Sequence, residues 1–259
     1  MARQLGGAWR MVQRNALVYR RVWQGSLFMG FLQPFLFLIS IGWGVGSLIQ
    51  AGDAFPGGVT FLAFLGPGLL ASTCMQTASF ESSFPITGKM TWQRNYDAIC
   101  ATPMSIGEIV LGELLWIGVR LSTVATAFAL VLVAFGAGRT LAIVPAAAAA
   151  VLTGVAFASV IMAYAATLTS GANFSAMFRF VMTPLFLFSG VFFPVSRLPE
   201  AVQWLAPLTP LYHGVELSRG LLLHTLDARA AVVHVVYLLA MVAIGLTLAH
   251  RAFARRLWK

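Results

Sequence analysis

The sequence predicts an all-α polytopic membrane protein, and three observations carry that reading. Of its 259 residues, 59% are hydrophobic and only 10% are charged, against ~25% charged in an ordinary soluble domain. Several apolar runs are long enough to cross a ~30 Å hydrocarbon core at ~1.5 Å per residue, so residues 1–259 read as one membrane domain with little left for a soluble one. Sheet edges cannot face lipid unpaired, which makes helices the default for every run.

Residues 1–25 form the first element. Leu5, Trp9, Val12, Ala16, Tyr19 and Trp23 recur in alternating steps of four and three, on one helical stripe, with Arg3, Arg10 and Arg14 opposite. Such a helix is expected to lie on the membrane surface, held by aromatic burial and basic contacts to lipid headgroups, and is compatible with docking to a cytoplasmic partner. Six spans follow: Leu27 to Ile49, Val59 to Ser82, Ile106 to Phe135, Leu141 to Thr169, Phe174 to Phe193, and Ala230 to Ala249. The third and fourth exceed what a bilayer needs and must tilt or extend into the aqueous phase. Ala146 to Ala150, inside the fourth, reads as close helix packing by small residues. The first run is too long for a signal-peptide core and no small-residue cleavage site follows it, so it is expected to stay as a span.

The net charge of +9 is informative by position. With both termini inside, twelve Lys and Arg residues fall on the cytoplasmic side, Arg179 among them, and four (Arg139, Arg197, Arg219 and Arg229) fall outside. That bias orients the chain. In a membrane protein the positive charge answers to anionic headgroups and gives no ground for nucleic-acid binding.

The stretch GKMTWQRNYDAICATP, Gly88 to Pro103, is a polar island on the cytoplasmic side between the second and third spans. It opens with Gly-Lys but is no phosphate loop, because Met90 stands where Ser or Thr would hold magnesium and Ser83 where the first glycine belongs. Pro103, then Ser105 and Glu108, give a stop and a capping box, so the third span begins near Ile106 and Glu108 is structural. Met90 to Ala101 is then a short helix, with Trp92, Tyr96 and Ile99 on one face beside Arg94 and Asp97. Those residue types are the ones enriched where one protein grips another.

A second odd region, Ser189 to Leu223, is too rich in proline and charge to cross a bilayer and too apolar for an ordinary loop. It reads as short amphipathic helices dipping into the outer leaflet, punctuated by Pro194, Pro199, Pro207 and Pro210. Irregular backbone at membrane depth must be buried in protein or line a cavity, which makes this region a candidate outer gate. His213, Glu216 and Arg219 fall within it; His213 and Glu216 share a face and either pair with one another or meet a polar headgroup.

Inside the third span, Arg120 and Glu113 lie seven residues apart near one helix face. Ionisable groups in a membrane face a protein interior or a wet path, so the two read either as a packing pair or as part of a cargo path. Ser189, Gly190 and His234 superficially resemble an intramembrane serine protease, but Leu187 stands where the required glycine belongs. His224 and His234 make no metal signature, and Cys74 and Cys100 are expected to be free thiols.

Taken in order, AFLGPGLLAS, then Phe80-Glu81, then YDAICATPMSIGEIVLGELLW from Tyr96 to Trp116, and finally SGVFFPVSRLP with PLYH ending at His213, resemble the membrane subunit of ABC-2 type exporters. Within that group the chain is most similar to the nodulation-factor, or lipo-oligosaccharide, exporter permeases. The resemblance implies six transmembrane helices, a cytoplasmic N-terminal helix, a coupling helix in residues 88–103 and re-entrant helices in residues 194–229. It also implies a bacterial inner-membrane location, a homodimer and a separate ATPase chain. That chain would hold the ATP and magnesium and grip Trp92, Arg94, Asn95, Tyr96 and Asp97. Glu113, Arg120, His213, Glu216 and Arg219 are then candidates for the cargo path or its gate, in a chain that is itself no enzyme and needs no cofactor.

The expected function is export of an amphipathic or lipid-linked cargo such as a lipo-oligosaccharide. A drug or polyketide efflux permease of the same class is the alternative. An ion-coupled secondary transporter would want an acidic residue near mid-membrane and detectable repeats, and the sequence is not expected to supply either.

Overall fold

The computed structural model describes residues 2–21, 23–25, 32, 35–36, 38–45, 59–138 and 140–257. It is all-helical among them, and four of its helices are long and apolar enough to cross a membrane. Most of the first expected span, Leu27 to Ile49, lies outside the described residues, apart from a π-helical segment at Leu38–Val45.

Helix α1, Ala2–Tyr19, is amphipathic as its periodicity predicts, and it also packs against the rest of the chain. Ala8, Met11, Val12 and Asn15 are buried, whereas Trp9 and Trp23 are exposed. The expected stripe divides: Val12 turns inward with Ala8 and Met11 onto a later helix, while Trp9 and Trp23 stay outward, available to headgroups.

Helix α2, Phe61–Thr91, begins at Thr60, whose hydroxyl accepts from the Ala63 amide, and runs nine residues beyond the expected end at Ser82. At 1.5 Å per residue its 31 residues extend for about 46 Å, so its last turns project past a ~30 Å core. Arg94 then takes a left-handed backbone, φ 48°, which breaks the chain direction and starts α3, Asn95–Cys100. The short helix is therefore half the length expected from Met90 to Ala101, because α2 claims its first residues. Helix α4, Ile106–Ala134, starts where the capping box predicts: the Ser105 hydroxyl accepts from the Glu108 amide, and Glu108 accepts from the Ser105 amide at 2.6 Å.

Helix α5, Ile143–Thr167, is the hub, packed against α2, α4 and the two last helices of the chain. Lipid tails are as apolar as leucine, so helices in a membrane associate through close approach and polar contacts rather than through burial from water. The alanine run does this here: Ala146, Ala149 and Ala150 are buried, and the Ser218 hydroxyl reaches the Ala146 carbonyl at 3.3 Å.

The fifth expected span is shorter than the sequence suggests. Helix α6, Ala172–Phe188, carries a π-helical turn at Phe178–Met182 and ends at Ser189-Gly190, where Gly190 adopts φ +79°. Its 17 residues extend for about 25 Å, less than a ~30 Å hydrocarbon core, and regular structure ends there. It resumes as α7, Glu200–Leu205, and α8, Pro210–Leu222, with Pro194 and Pro199 preceding short helical turns and Pro210 opening α8. Trp204, Leu205 and Leu208 are exposed around α7, while α8 folds back against α5 and α2. Helix α9, Ala228–Leu257, closes the bundle. Its Arg256 donates to the carbonyls of Ala166 and Leu168, capping the end of α5.

Candidate functional site

Three polar centres lie along the helices, and each joins elements distant in sequence. The first surrounds Glu113, which is 1% exposed. Lys89 Nζ donates to both carboxylate oxygens at 2.7 and 2.8 Å, the Tyr96 hydroxyl donates at 3.0 Å, and Asn15 Nδ2 donates at 3.0 Å. One carboxylate thus ties α1, α2, α3 and α4 together. The chain can approach closely enough because Gly112 has no side chain: a Cβ there would sit 2.5 Å from the Met11 Cβ and 2.9 Å from the Ala8 carbonyl. A buried carboxylate is tolerable only when paired and fully hydrogen-bonded, a condition these donors meet.

Tyr96 is wholly buried, its ring 5.5 Å from that of Phe253, and burial followed by the Glu113 carboxylate pushes its phenol well above the usual range. It stays protonated and donates. Trp92, by contrast, is 77% exposed and belongs to the end of α2, so it does not share a face with Tyr96 as the helical spacing suggested. Arg94 and Asp97 are exposed and Asn95 is half-buried, bonding Gln93 at 2.7 Å. The polar island therefore has an outward surface of Trp92, Gln93, Arg94 and Asp97 and an inward anchor, Tyr96.

The second centre corrects the expected pairing of Glu113 with Arg120. Arg120 reaches across to Glu81 on α2, donating through Nε and Nη2 at 3.2 and 2.9 Å, and its guanidinium lies 4.2 Å over the Tyr19 ring. Seven residues along a helix carry a side chain about 10 Å away, too far for a direct bond when closer partners stand on a neighbouring helix. Glu81 and Arg120 border a cavity of about 860 Å³ between α2, α4 and α6. Thr73, Gln76, Thr77, Ser175 and Arg179 add polar groups, and Phe80, Phe178 and Phe186 add apolar ones. Glu81 belongs to the second expected span, Val59 to Ser82, and its role as the partner of Arg120 was not read from the sequence. Arg179, which the sequence placed with the cytoplasmic charges, sits in the π-helical turn and lines the same cavity. The one signal for either was a charge interrupting an apolar run.

The third centre is the broken backbone after α6. Arg219 is buried and donates to the carbonyls of Phe64, Gly190 and Val191 at 3.1, 2.7 and 3.3 Å, with Glu216 at 3.0 Å as counter-ion. Arg219 thus supplies donors to carbonyls that the irregular backbone after α6 leaves without helical partners. His213 does not pair with Glu216: its Nδ1 lies 2.8 Å from His234 Nδ1, its Nε2 2.9 Å from the Pro207 carbonyl, and its ring stacks on Tyr237. Ser189 bonds the Thr209 hydroxyl at 3.0 Å, so the serine and histidine of the protease-like pattern have separate partners. Cys74 and Cys100 are free thiols, and the described residues contain no cluster of His, Cys, Asp and Glu that could hold a metal.

The sequence profile of the ABC-2 type transporter family matches residues 7–223, most of the chain. The chain belongs to the ABC-2 type transporter family. Among relatives, this ABC-2 chain is 33% identical over 215 residues to nodulation protein J of Rhizobium meliloti (strain 1021), covering 83% of this chain and 79% of the relative. It is equally similar to nodulation protein J of Rhizobium leguminosarum bv. viciae, 33% over 215 residues, covering 83% and 80%. Nodulation protein J of Bradyrhizobium diazoefficiens is 30% identical over 249 residues, 96% of this chain and 92% of that one. The ABC-2 assignment makes this a membrane transport subunit, of a family that works with an ABC ATPase.

Proposed function

We propose that this chain is the membrane-spanning subunit of an ATP-driven exporter whose cargo is amphipathic, a lipo-oligosaccharide or a similar lipid-linked saccharide. Two copies would bind two copies of a separate ATPase, which carries the ATP and magnesium. The observation that carries this reading is the cavity between α2, α4 and α6. Its amide, hydroxyl and ion-paired side chains suit a hydroxyl-rich headgroup, and its phenylalanines suit an acyl chain. At about 860 Å³ it holds a headgroup rather than a whole lipid-linked oligosaccharide, so a path shared between two copies completes it. The similarity to nodulation protein J favours saccharide over drug cargo.

The route from nucleotide to cargo runs through Glu113. Closure of the ATPases would press on Trp92, Arg94 and Asp97, with both termini on the same cytoplasmic side. Tyr96 would pass the movement to Glu113, and so to α1, α2 and α4 together. Helices α2 and α4 also carry Glu81 and Arg120, so the displacement reaches the cavity without crossing a flexible segment. Affinity purification with the candidate ATPase tests the assembly, and ATP-dependent movement of a lipid-linked saccharide in proteoliposomes tests the cargo. Charge reversal at Arg94 or Asp97 is expected to weaken ATPase association and transport while membrane insertion persists. Transport that proceeds without any ATPase would overturn the proposal.

A further inference from the structure

A second cavity, of about 650 Å³, lies between α5 and α9 at the end of the bundle that holds α3. Its wall on α9 is formed by Leu248, Arg251, Ala252, Arg255 and Arg256, and its wall on α5 includes Val160 and Tyr164. The spacing of 248, 251, 252 and 255 puts apolar and basic groups on one helix face, with the arginines toward the helix end. Arg251 and Arg255 are exposed, and the ion pairs found among the described residues involve other side chains. Arg256 holds the end of α5 through two carbonyls. Among the described residues, no carboxylate pairs with these two cations at the cavity. Leu248 and Ile244, four apart on the cavity's side of α9, are both exposed, so its apolar end continues one turn further up the helix.

We propose that this cavity binds an anionic phospholipid, its phosphate on Arg251 and Arg255 and an acyl chain along Leu248 and Val160. Basic pockets between membrane helices favour acidic headgroups, and guanidinium forks match phosphate geometry. A soluble protein partner would leave the apolar end unfilled, whereas a lipid fills both ends at once. The basic wall on α9 lies outside residues 7–223, the stretch the family profile matches, while the α5 wall lies inside it, and no residue of the site lines the cavity between α2, α4 and α6.

The test uses the full chain in detergent micelles titrated with phosphatidylglycerol or phosphatidylcholine, followed by the thermal midpoint. Phosphatidylglycerol is expected to raise the midpoint and phosphatidylcholine to leave it unchanged. The double variant Arg251→Gln with Arg255→Gln keeps the Arg256 contacts and should weaken the apparent affinity roughly 30-fold, about what two headgroup cations contribute. Val160→Trp, which fills the apolar end and keeps every arginine, should abolish the shift as well. Inorganic phosphate and glycerol 3-phosphate are expected to give none. Equal shifts in wild type and both variants would overturn the site, as would protection by free phosphate alone. Normal phosphatidylglycerol binding by a double variant that no longer copurifies with the ATPase would instead assign these arginines to a protein partner.

Discussion

Arg120 on α4 donates to Glu81 on α2, while Glu113 on α4 holds Lys89 on α2, so the two helices are joined by two ion pairs in one antiparallel register. The charges run in opposite order on the two helices, and sliding one helix by a rung would set Glu81 opposite Glu113. Like charges at membrane depth are strongly disfavoured, so the arrangement selects its own register. The Glu81–Arg120 pair borders the cavity between α2, α4 and α6, and the Lys89–Glu113 pair meets Tyr96 of α3.

The pairing makes a direct prediction about compensation. Arg120→Gln alone should lower stability by about 1–3 kcal/mol, because Glu81 loses a charged donor. Pairing it with Glu113→Gln should not restore the loss, whereas Glu81→Gln with Arg120→Gln should recover much of it. Thermal denaturation in detergent reads both double variants. If the Glu81 double variant is stable and ATPase-bound yet transports poorly, the pair serves the path as well as the packing.

Glu113 is more deeply committed. Glu113→Ala strands Lys89 and leaves the Tyr96 and Asn15 donors without an acceptor, and about 3–5 kcal/mol should be lost. Tyr96→Phe is the gentler probe. It keeps the ring against Phe253 and removes only the hydroxyl, so copurification with the ATPase should persist while ATP hydrolysis and transport become uncoupled. Coupled turnover at the wild-type ratio would remove Tyr96 from the transmission route.

How much of this was legible in the sequence depended on range. The Ser105/Glu108 capping box is local chemistry, and the structure forms both of its bonds where the spacing places them. The alanine run likewise declared close packing. Glu113 and Arg120 were visible as costly groups in a span, but their partners lie 24 and 39 residues away, and one helix's periodicity cannot encode the register of its neighbour. How the stripe of α1 divides was hidden for a related reason. Trp9 and Trp23 dominate any hydrophobic stripe, yet bulky side chains hold helices apart, and the contact goes to Ala8 and Met11 opposite Gly112. The break in α6 was masked by the apolar residues that follow Gly190.

Cys100 offers a chemical reading of the coupling segment. Burial, and after it the Asp97 carboxylate, pushes its thiol above the ordinary range. A raised thiol pKa means less thiolate at neutral pH, so alkylation should be slow at pH 7 and accelerate about tenfold per pH unit until the thiol has titrated. Asp97→Asn removes the electrostatic part and should speed labelling at pH 7. Bound ATPase should protect Cys100 if the exposed face beside it is the interface. Cys74 is fully buried and should stay unlabelled in the folded protein at each pH.

The short α6 gives topology labelling a sharper meaning. Between Asn95 and Glu200 the chain passes through α4, α5 and α6, and α6 with its 17 residues reaches only part-way across a ~30 Å core. If the Gly190 break is held at membrane depth by Arg219 and the chain then continues outward, Glu200 emerges on the side opposite Asn95. Single cysteines at the two positions, in a background lacking Cys74 and Cys100, should then react from opposite faces. With an impermeant thiol reagent, position 200 is expected to label in intact cells and position 95 only after permeabilisation. Cysteines in place of Ala201 and Leu208 extend the test, since the exposed Trp204, Leu205 and Leu208 should sit in the interface: position 201 should label freely and position 208 slowly. Labelling of positions 95 and 200 from one side would mean that α6 returns to the face it started from. The Ser189–Leu223 region could not then be an outer gate, and Arg219 would be holding a break on the cytoplasmic side instead.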